Sequence, residues 1–178
     1  MKKYLYLFTC MSIALALLAG CSNYSISTSS EGIKNTLTKT TLSKSTDITD
    51  WKSTPYETVN NFDGVTMIVK KETTSSTGLK VTFKNSSNNR CIYGEYFCLE
   101  KKITGSWYQV PVVIKGSYGF DDIGYNLVSG VNRELEVKWN WLYGSLNAGE
   151  YRIVKDILNF RGTGDYDTYY LAAEFTIY

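Results

Sequence analysis

Few side chains in this sequence are equipped for chemistry. It contains no histidine. That removes the ordinary base near neutral pH, and with it Ser-His-Asp and Cys-His catalysis and any zinc site needing an imidazole. The four cysteines, Cys10, Cys21, Cys91 and Cys98, are too scattered to form a thiolate metal set. Two carboxylate pairs remain, Asp121 with Asp122 and Asp165 with Asp167. A glycosidase needs two carboxyls facing one bond across a cleft, and calcium needs a shell of oxygen ligands. Neighbouring acids on a loop point apart and cap turns, and their spacing here matches no calcium loop. Phe160-Arg161-Gly162-Thr163-Gly164-Asp165 is rich in glycine but lacks the lysine and spacing of a phosphate loop. The expectation is a protein with no catalytic residue, no metal site and no cofactor.

The first segment carries a different signal. Lys2 and Lys3 precede an apolar run over residues 4–18, too short for a membrane span and typical of an export leader. It ends in Leu18-Ala19-Gly20-Cys21, which resembles the lipobox of bacterial lipoproteins. Small residues there fit a peptidase groove, and the thiol accepts a diacylglycerol. The resemblance implies that residues 1–20 are removed and that Cys21 carries lipid. Each buried methylene would add about 0.8 kcal/mol of anchoring. The expected location is outside the cytoplasm, tethered to the cell membrane.

Without Lys2 and Lys3, 17 basic residues face 17 acids. A neutral chain has no basic excess with which to displace counterions, so nucleic acid is not an expected partner. Beyond the leader only Cys91 and Cys98 remain free of the anchor. An exported protein permits a disulfide. On one straight strand the two would sit about 23 Å apart at about 3.3 Å per residue, so a bridge needs the chain to turn near Gly94-Glu95. A bridge and two small buried thiols both stay open at this point. Residues 22–62 hold 17 serines and threonines among 41 residues, the composition of a solvated tether. Residues 21–62 are therefore set apart from a folded part, 63–178. Residues 47–62, with Ile48 and Trp51, pack on the domain or add an edge strand on this reading.

From residue 63 the pattern is β. Val65-Thr66-Met67-Ile68-Val69 is β-branched, and Leu79-Lys80-Val81-Thr82-Phe83 alternates as a half-buried strand does. Asn85-Ser86-Ser87-Asn88-Asn89 is a turn cluster. Residues 97–103 and 107–114 predict two strands joined at Thr104-Gly105-Ser106. Leu135, Val137 and Trp139 alternate with charged residues, Trp141-Leu142-Tyr143 predicts a short turn, and residues 151–158 and 169–177 predict the last two strands. Seven or eight short antiparallel strands with frequent turns argue for a β-sandwich.

Leu146-Asn147-Ala148-Gly149-Glu150-Tyr151 resembles the tyrosine corner of immunoglobulin-like sandwiches, in which a tyrosine hydroxyl at the start of the penultimate strand bonds back to the preceding connection. Further stretches carry the likeness: Tyr93-Gly94-Glu95, Leu99-Glu100-Lys101, Trp107-Tyr108-Gln109-Val110-Pro111, Phe120-Asp121-Asp122-Ile123-Gly124-Tyr125, Trp139-Asn140-Trp141-Leu142-Tyr143-Gly144 and Gly149-Glu150-Tyr151-Arg152-Ile153. Residues from about 64 to 178 are similar to a family of bacterial immunoglobulin-like domains, found in free lipoproteins and attached to sensor metallopeptidases related to the β-lactam receptor. The resemblance implies an all-β immunoglobulin-like sandwich and supplies no catalytic residue. Cys91 and Cys98 lie outside its pattern.

The 19 aromatics among residues 63–178 are the remaining clue to function. Trp107, Trp139, Phe83 and Phe175 fall on strands and are expected in the core. Tyr118, Phe120, Tyr125 and Tyr166, together with Arg161 and Asp165, fall in or beside loops, where a sandwich carries its contacts. Tyrosine brings area at low entropic cost. These six residues are the candidate binding set, and their placement at one site is an expectation the fold must test. The leading expectation is non-catalytic recognition of a protein partner at the cell envelope, with binding of a cell-wall or host glycan as the alternative. A tyrosine row along a concave face favours sugar; a flat or convex aromatic patch with a polar rim favours protein.

Overall fold

The computed structural model describes residues 51–178; the leader, the lipidation candidate Cys21 and residues 22–50 lie outside the described residues. Nine strands and one helical turn follow in order: β1 (Val65–Ser75), β2 (Gly78–Asn85), β3 (Cys91–Tyr93), β4 (Cys98–Ile103), β5 (Ser106–Gln109), β6 (Tyr125–Leu127), β7 (Asn132–Lys138), α1 (Asn140–Tyr143), β8 (Gly149–Gly162) and β9 (Asp165–Ile177). All pairings are antiparallel. One sheet has the order β1-β2-β7; the other runs β5-β4-β8-β3-β6, with β9 paired to β8. The fold is an all-β immunoglobulin-like sandwich.

Alternation sets the core. Val65, Met67 and Val69 of β1 and Leu79, Val81 and Phe83 of β2 point inward and are buried, as is Val137 of β7. Leu99, Tyr151, Ile153, Ile157, Leu171, Ala173 and Phe175 meet them from the larger sheet. Each fully buried aliphatic or phenyl side chain contributes roughly 1.5–3 kcal/mol. Trp139 is fully buried, stacks on Phe175 at 5.5 Å and donates its indole N–H to Ser76 O at 2.9 Å.

The tyrosine corner is formed. Tyr151 Oη donates to Asn147 O at 2.8 Å, and the ring lies against Phe175 at 5.7 Å. Leu146 is buried beside it. Gly149 has φ +153°, a backbone conformation that residues with a side chain rarely adopt, so the crossing favours glycine.

Several elements depart from the sequence-based expectation. There are nine strands rather than seven or eight, because β3 and β6, three residues each, are too short to show an alternation. The strand expected over residues 107–114 stops at Gln109. Pro111 cannot donate to a ladder, and Val113 N–H turns instead to Leu142 O at 2.9 Å. The hairpin before it is a two-residue loop: Ile103 faces Ser106, with Thr104 and Gly105 at φ 49° and 86°, the positive values a type I′ turn needs. Trp107 is half-buried on the outer face of the larger sheet, not in the core, and lies under the Arg152 guanidinium at 4.6 Å.

Cys91 and Cys98 are both buried and free. Cys91 pairs with Asn159 and Cys98 with Val154, five residues apart along β8, or about 16 Å. Odd positions of β8 face the core and even positions face outward, so the two thiols also sit on opposite faces. A disulfide needs Cα atoms within about 7 Å. Burial pushes both thiols up to about 11, which keeps them protonated and poorly nucleophilic.

The outward face of the larger sheet is covered over β4 and the first half of β8. Residues 51–62 begin beside β5: Gln109 N–H donates to Lys52 O at 2.8 Å, Thr54 N–H to Trp107 O at 3.1 Å, and Ser53 bridges Tyr108. They then cross β4 and β8, where Arg152 donates to Thr54 Oγ1 at 3.1 Å, and Tyr56 lies against Tyr170 at 4.9 Å. At the free edge of β9, Asn60 N–H donates to Tyr170 O at 2.8 Å. The Asn60 side chain donates to Ala172 O at 3.0 Å and accepts from Ala172 N–H at 2.8 Å. Phe62 then turns inward and stacks on Tyr169 at 4.3 Å. Beneath this strap Cys98, Glu100, Arg152, Val154 and Ala172 are buried although they face away from the core. Glu100, fully buried, accepts from Arg152 Nε at 2.6 Å.

Candidate functional site

The connection between β5 and β6, residues 110–124, runs along one side of the sandwich and meets α1. Its anchor points are backbone bonds, Val110 N–H to Leu99 O at 2.9 Å and Val113 N–H to Leu142 O at 2.9 Å. Alpha1 is a single turn whose Leu142 and Tyr143 are buried. With those two neighbours committed inward, Trp141 is left facing out, 42% exposed.

Aromatic rings collect around Trp141. Phe120 meets it at 5.5 Å with the ring planes at 70°, and Tyr118 meets it at 6.5 Å and 73°. Phe120 also touches Tyr96 and Phe97 edge-on, each at 5.4 Å. Edge-to-face pairing is the favoured geometry for such rings. Tyr118 is 48% exposed; Tyr96, Val112 and Val113 are exposed as well. The result is an exposed aromatic and aliphatic patch. Beside it, between Phe120, Trp141 and β7, lies a cleft of about 230 Å³ lined by Phe97, Leu135 and Val137, with Glu95, Glu136 and Lys138 at its mouth. Tyr125 Oη donates to Glu95 Oε1. That bond, with partial burial and the charges of Glu95 and then Asp121, holds the Tyr125 phenol above its ordinary range.

Arg161, Asp165 and Tyr166 lie elsewhere, at the tip of the β8–β9 hairpin. Gly162 faces Asp165 across a two-residue turn with Gly164 at φ 76°. Arg161 Nε donates to Asp165 Oδ1 at 2.8 Å and Arg161 Nη1 to Asp167 Oδ2 at 2.6 Å. The guanidinium holds the Asp167 carboxyl below its usual range, and the two acids raise the guanidinium in turn. This fork closes the hairpin and keeps the two acids on one cation, so they do not form a carboxylate pair across a cleft. Tyr125 pairs with Tyr93 and Cys91 with Leu127 and Asn159, which puts the tip several residues beyond Tyr125 along β8. The six candidate residues therefore form two groups, Tyr118, Phe120 and Tyr125 beside α1, and Arg161, Asp165 and Tyr166 at the tip. Trp141, Tyr96 and Glu95 join the first group; the short turn at Trp141-Leu142-Tyr143 was the only trace of this in the sequence.

Asp121 and Asp122 are exposed on the loop. Among the described residues no group of three histidine, cysteine or acidic side chains converges as a metal site would need. A larger open groove of about 620 Å³ lies between β1 and the ends of β8 and β9, edged by Lys71, Glu150 and Glu174. No helix among the described residues is long and apolar enough to cross a membrane.

A family model described as a bacterial Ig-like domain matches residues 61–176. The chain belongs to this family. Bacterial Ig-like domains are typically surface or extracellular modules of a binding type and are generally non-catalytic. Neither curated proteins nor solved structures gave a match to the chain. The match begins at residue 61, so most of the strap that crosses the larger sheet precedes the Ig-like domain proper.

Proposed function

We propose that this chain is a lipid-anchored, non-catalytic recognition module that binds a protein partner at the cell envelope, using the patch built from Tyr118, Phe120 and Trp141. The observation that carries the proposal is the exposure of large rings in one place. Trp141 and Tyr118 are each more than 40% exposed, with Val112 and Val113 exposed nearby on the same connection, while Glu95 and Lys138 line the adjoining cleft and the exposed Asp121 follows Phe120. Tryptophan and tyrosine are the residues that most often dominate interface energy. The rings meet at 70° and 73°. They make no flat row on which sugar rings would stack, so a protein partner is favoured over a glycan. Anchoring through Cys21 rests on the lipobox and the export leader, and the family's surface character agrees with it.

Crosslinking the lipidated chain on intact cells, followed by identification of the captured protein, tests the reading. Trp141→Ala and Tyr118→Ala are expected to cut capture about tenfold or more with folding unchanged, since a hot-spot ring is worth about 2 kcal/mol. Capture equal to the parent for both variants refutes the site. Cys21→Ala is expected to abolish incorporation of labelled fatty acid, and label retained in that variant places the anchor elsewhere.

A further inference from the structure

We infer that the cleft beside Trp141 receives a basic side chain, lysine or arginine, presented by the protein partner; the inference rests on the recognition reading above and names the chemistry that the partner brings. Size is the first argument. At about 230 Å³ the cleft falls below the roughly 300–1,000 Å³ of pockets that take a whole small molecule, and suits one long side chain. Its walls are the second. Phe120 and Trp141 stand nearly perpendicular, 5.5 Å apart, so a cation entering between them meets the face of at least one ring, the geometry of cation–π attraction. Leu135, Val137 and Phe97 below them accept an aliphatic stem, as the stems of lysine and arginine prefer.

Charge at the mouth is the third argument. Glu95 and Glu136 both line the cleft. Glu95 is held in place by the Tyr125 hydroxyl and has no cation of its own among the salt bridges of the described residues. Glu136 has Lys138 at 3.6 Å, but both side chains are more than half exposed. Such a pair is weak and open to exchange. An incoming ammonium or guanidinium can take the place Lys138 now occupies near Glu136 while Glu95 supplies the second carboxylate. An apolar side chain entering the same cleft would gain nothing from either carboxylate.

The test uses the ¹⁵N-labelled full chain and three probes: the N-acetyl methylamides of lysine, arginine and norleucine. The readout is the Trp141 indole N–H resonance, assigned by its loss in Trp141→Phe. The lysine and arginine probes are expected to shift it saturably with midpoints about fivefold lower than norleucine, the scale of an exposed cation–π contact. Glu95→Gln keeps the acceptor for Tyr125 and is expected to weaken both cations about threefold, within the range of an exposed charge pair, with norleucine unchanged. Lys138→Met removes the competing cation and is expected to tighten them. Norleucine binding as well as the cations, no saturable shift with any probe, or Glu95→Gln and Lys138→Met both without effect overturns the inference. If capture on cells depends on Trp141 while the cations show no preference, the recognition surface stands and the basic side chain falls. If the cations bind selectively but capture ignores Trp141→Ala, the cleft chemistry stands and the partner site lies elsewhere.

Discussion

Lys155 offers the sharpest test of the packing. It lies on the core-facing side of β8, is fully buried, and donates to Gly94 O at 2.8 Å and Tyr96 O at 2.6 Å. These carbonyls belong to the gap between β3 and β4, which pair end to end along one edge of β8, so the ammonium serves where a ladder partner is missing. Burial lowers its pKa to about 8 from 10.5, while the charges of Asp156 and Glu95 act in the opposite direction. Below pH 8 the lysine is charged in both folded and unfolded chains, and the full cost of burying the charge is present. Between pH 8 and 10.5 the unfolded chain binds more protons than the folded one, so stability rises with pH. Each pH unit crossed within that window adds about 1.36 kcal/mol, so the gain from pH 7 to pH 9.5 is about 2 kcal/mol. Other groups titrate too: Cys91 and Cys98, whose pKa values are raised, lose stability above about pH 9. Lys155→Met cancels those shared effects. Urea unfolding of parent and variant at pH 7 and pH 9.5 is expected to show the stability difference move by about 2 kcal/mol in favour of the parent. A difference that stays flat across that interval means that Lys155 reaches water, and the role assigned to it in the β3–β4 gap is wrong.

Other outcomes follow from single contacts. Tyr151→Phe keeps the ring against Phe175 but leaves Asn147 O without its donor, and is expected to cost about 1–2 kcal/mol in denaturant unfolding; Tyr166→Phe, at an exposed hydroxyl, is the control and is expected to stay within about 0.5 kcal/mol of the parent. Glu100→Ala strands Arg152 in a buried site and is expected to cost roughly 3–5 kcal/mol, whereas replacing both Glu100 and Arg152 by methionine recovers most of that loss; equal losses for the single and double variants would show that the pair is not the source. Native-state thiol labelling read by peptide mapping is expected to leave Cys91 and Cys98 unmodified until the chain unfolds, and then to modify both as free thiols; finding them joined in one peptide pair would contradict the register along β8.

What the sequence made legible follows from how local each signal is. The tyrosine corner needs only the spacing of Leu146, Gly149 and Tyr151, and the core strands need only alternation, so both could be read in advance. Beta3 and β6 are too short to alternate, and they take their conformation from β8 and from each other. Trp107 has the composition of a core residue but faces Arg152, because the strap gives the outer side of the sheet its own buried layer. Lys155 sits at a core-facing position in the alternating series Tyr151, Ile153, Lys155, Ile157, a charge where pattern calls for an aliphatic residue. That mismatch was the sequence's one trace of the β3–β4 gap. Of the candidate residues expected in or beside loops, Tyr118 and Phe120 lie on the connection between β5 and β6, whereas Tyr125 falls on β6, Arg161 on β8, and Asp165 and Tyr166 on β9, because β8 and β9 run on to a two-residue turn. Their separation into two groups depends on how far β8 extends beyond β3, which no local pattern records.

The same layering narrows where the proposed recognition would take place. The outer face of the larger sheet is closed over β4 and the first half of β8 by residues 51–62, with Glu100 and Arg152 paired beneath them. The outer face of the smaller sheet presents Lys70, Lys80 and Lys84 beside Glu134 and Glu136, in register across β1, β2 and β7, with Lys70 and Glu134 paired at 2.9 Å. A surface so evenly mixed in sign is solvated and has little to gain from burial. At the hairpin tip Arg161 is already occupied by two carboxylates, and a partner's charge would have to compete with them. The side where residues 110–124 meet α1 differs from all three. Its large rings meet one another edge to face, its backbone is pinned through Val110 and Val113, and Glu95 lines the cleft without a direct salt bridge among the described residues, although its charge also acts on the buried Lys155. A rigid aromatic surface loses little entropy on contact, and a carboxylate oriented in advance by Tyr125 needs little rearrangement to meet a cation. Those two properties, present together only on this side of the described domain, make it the surface most suited to bind.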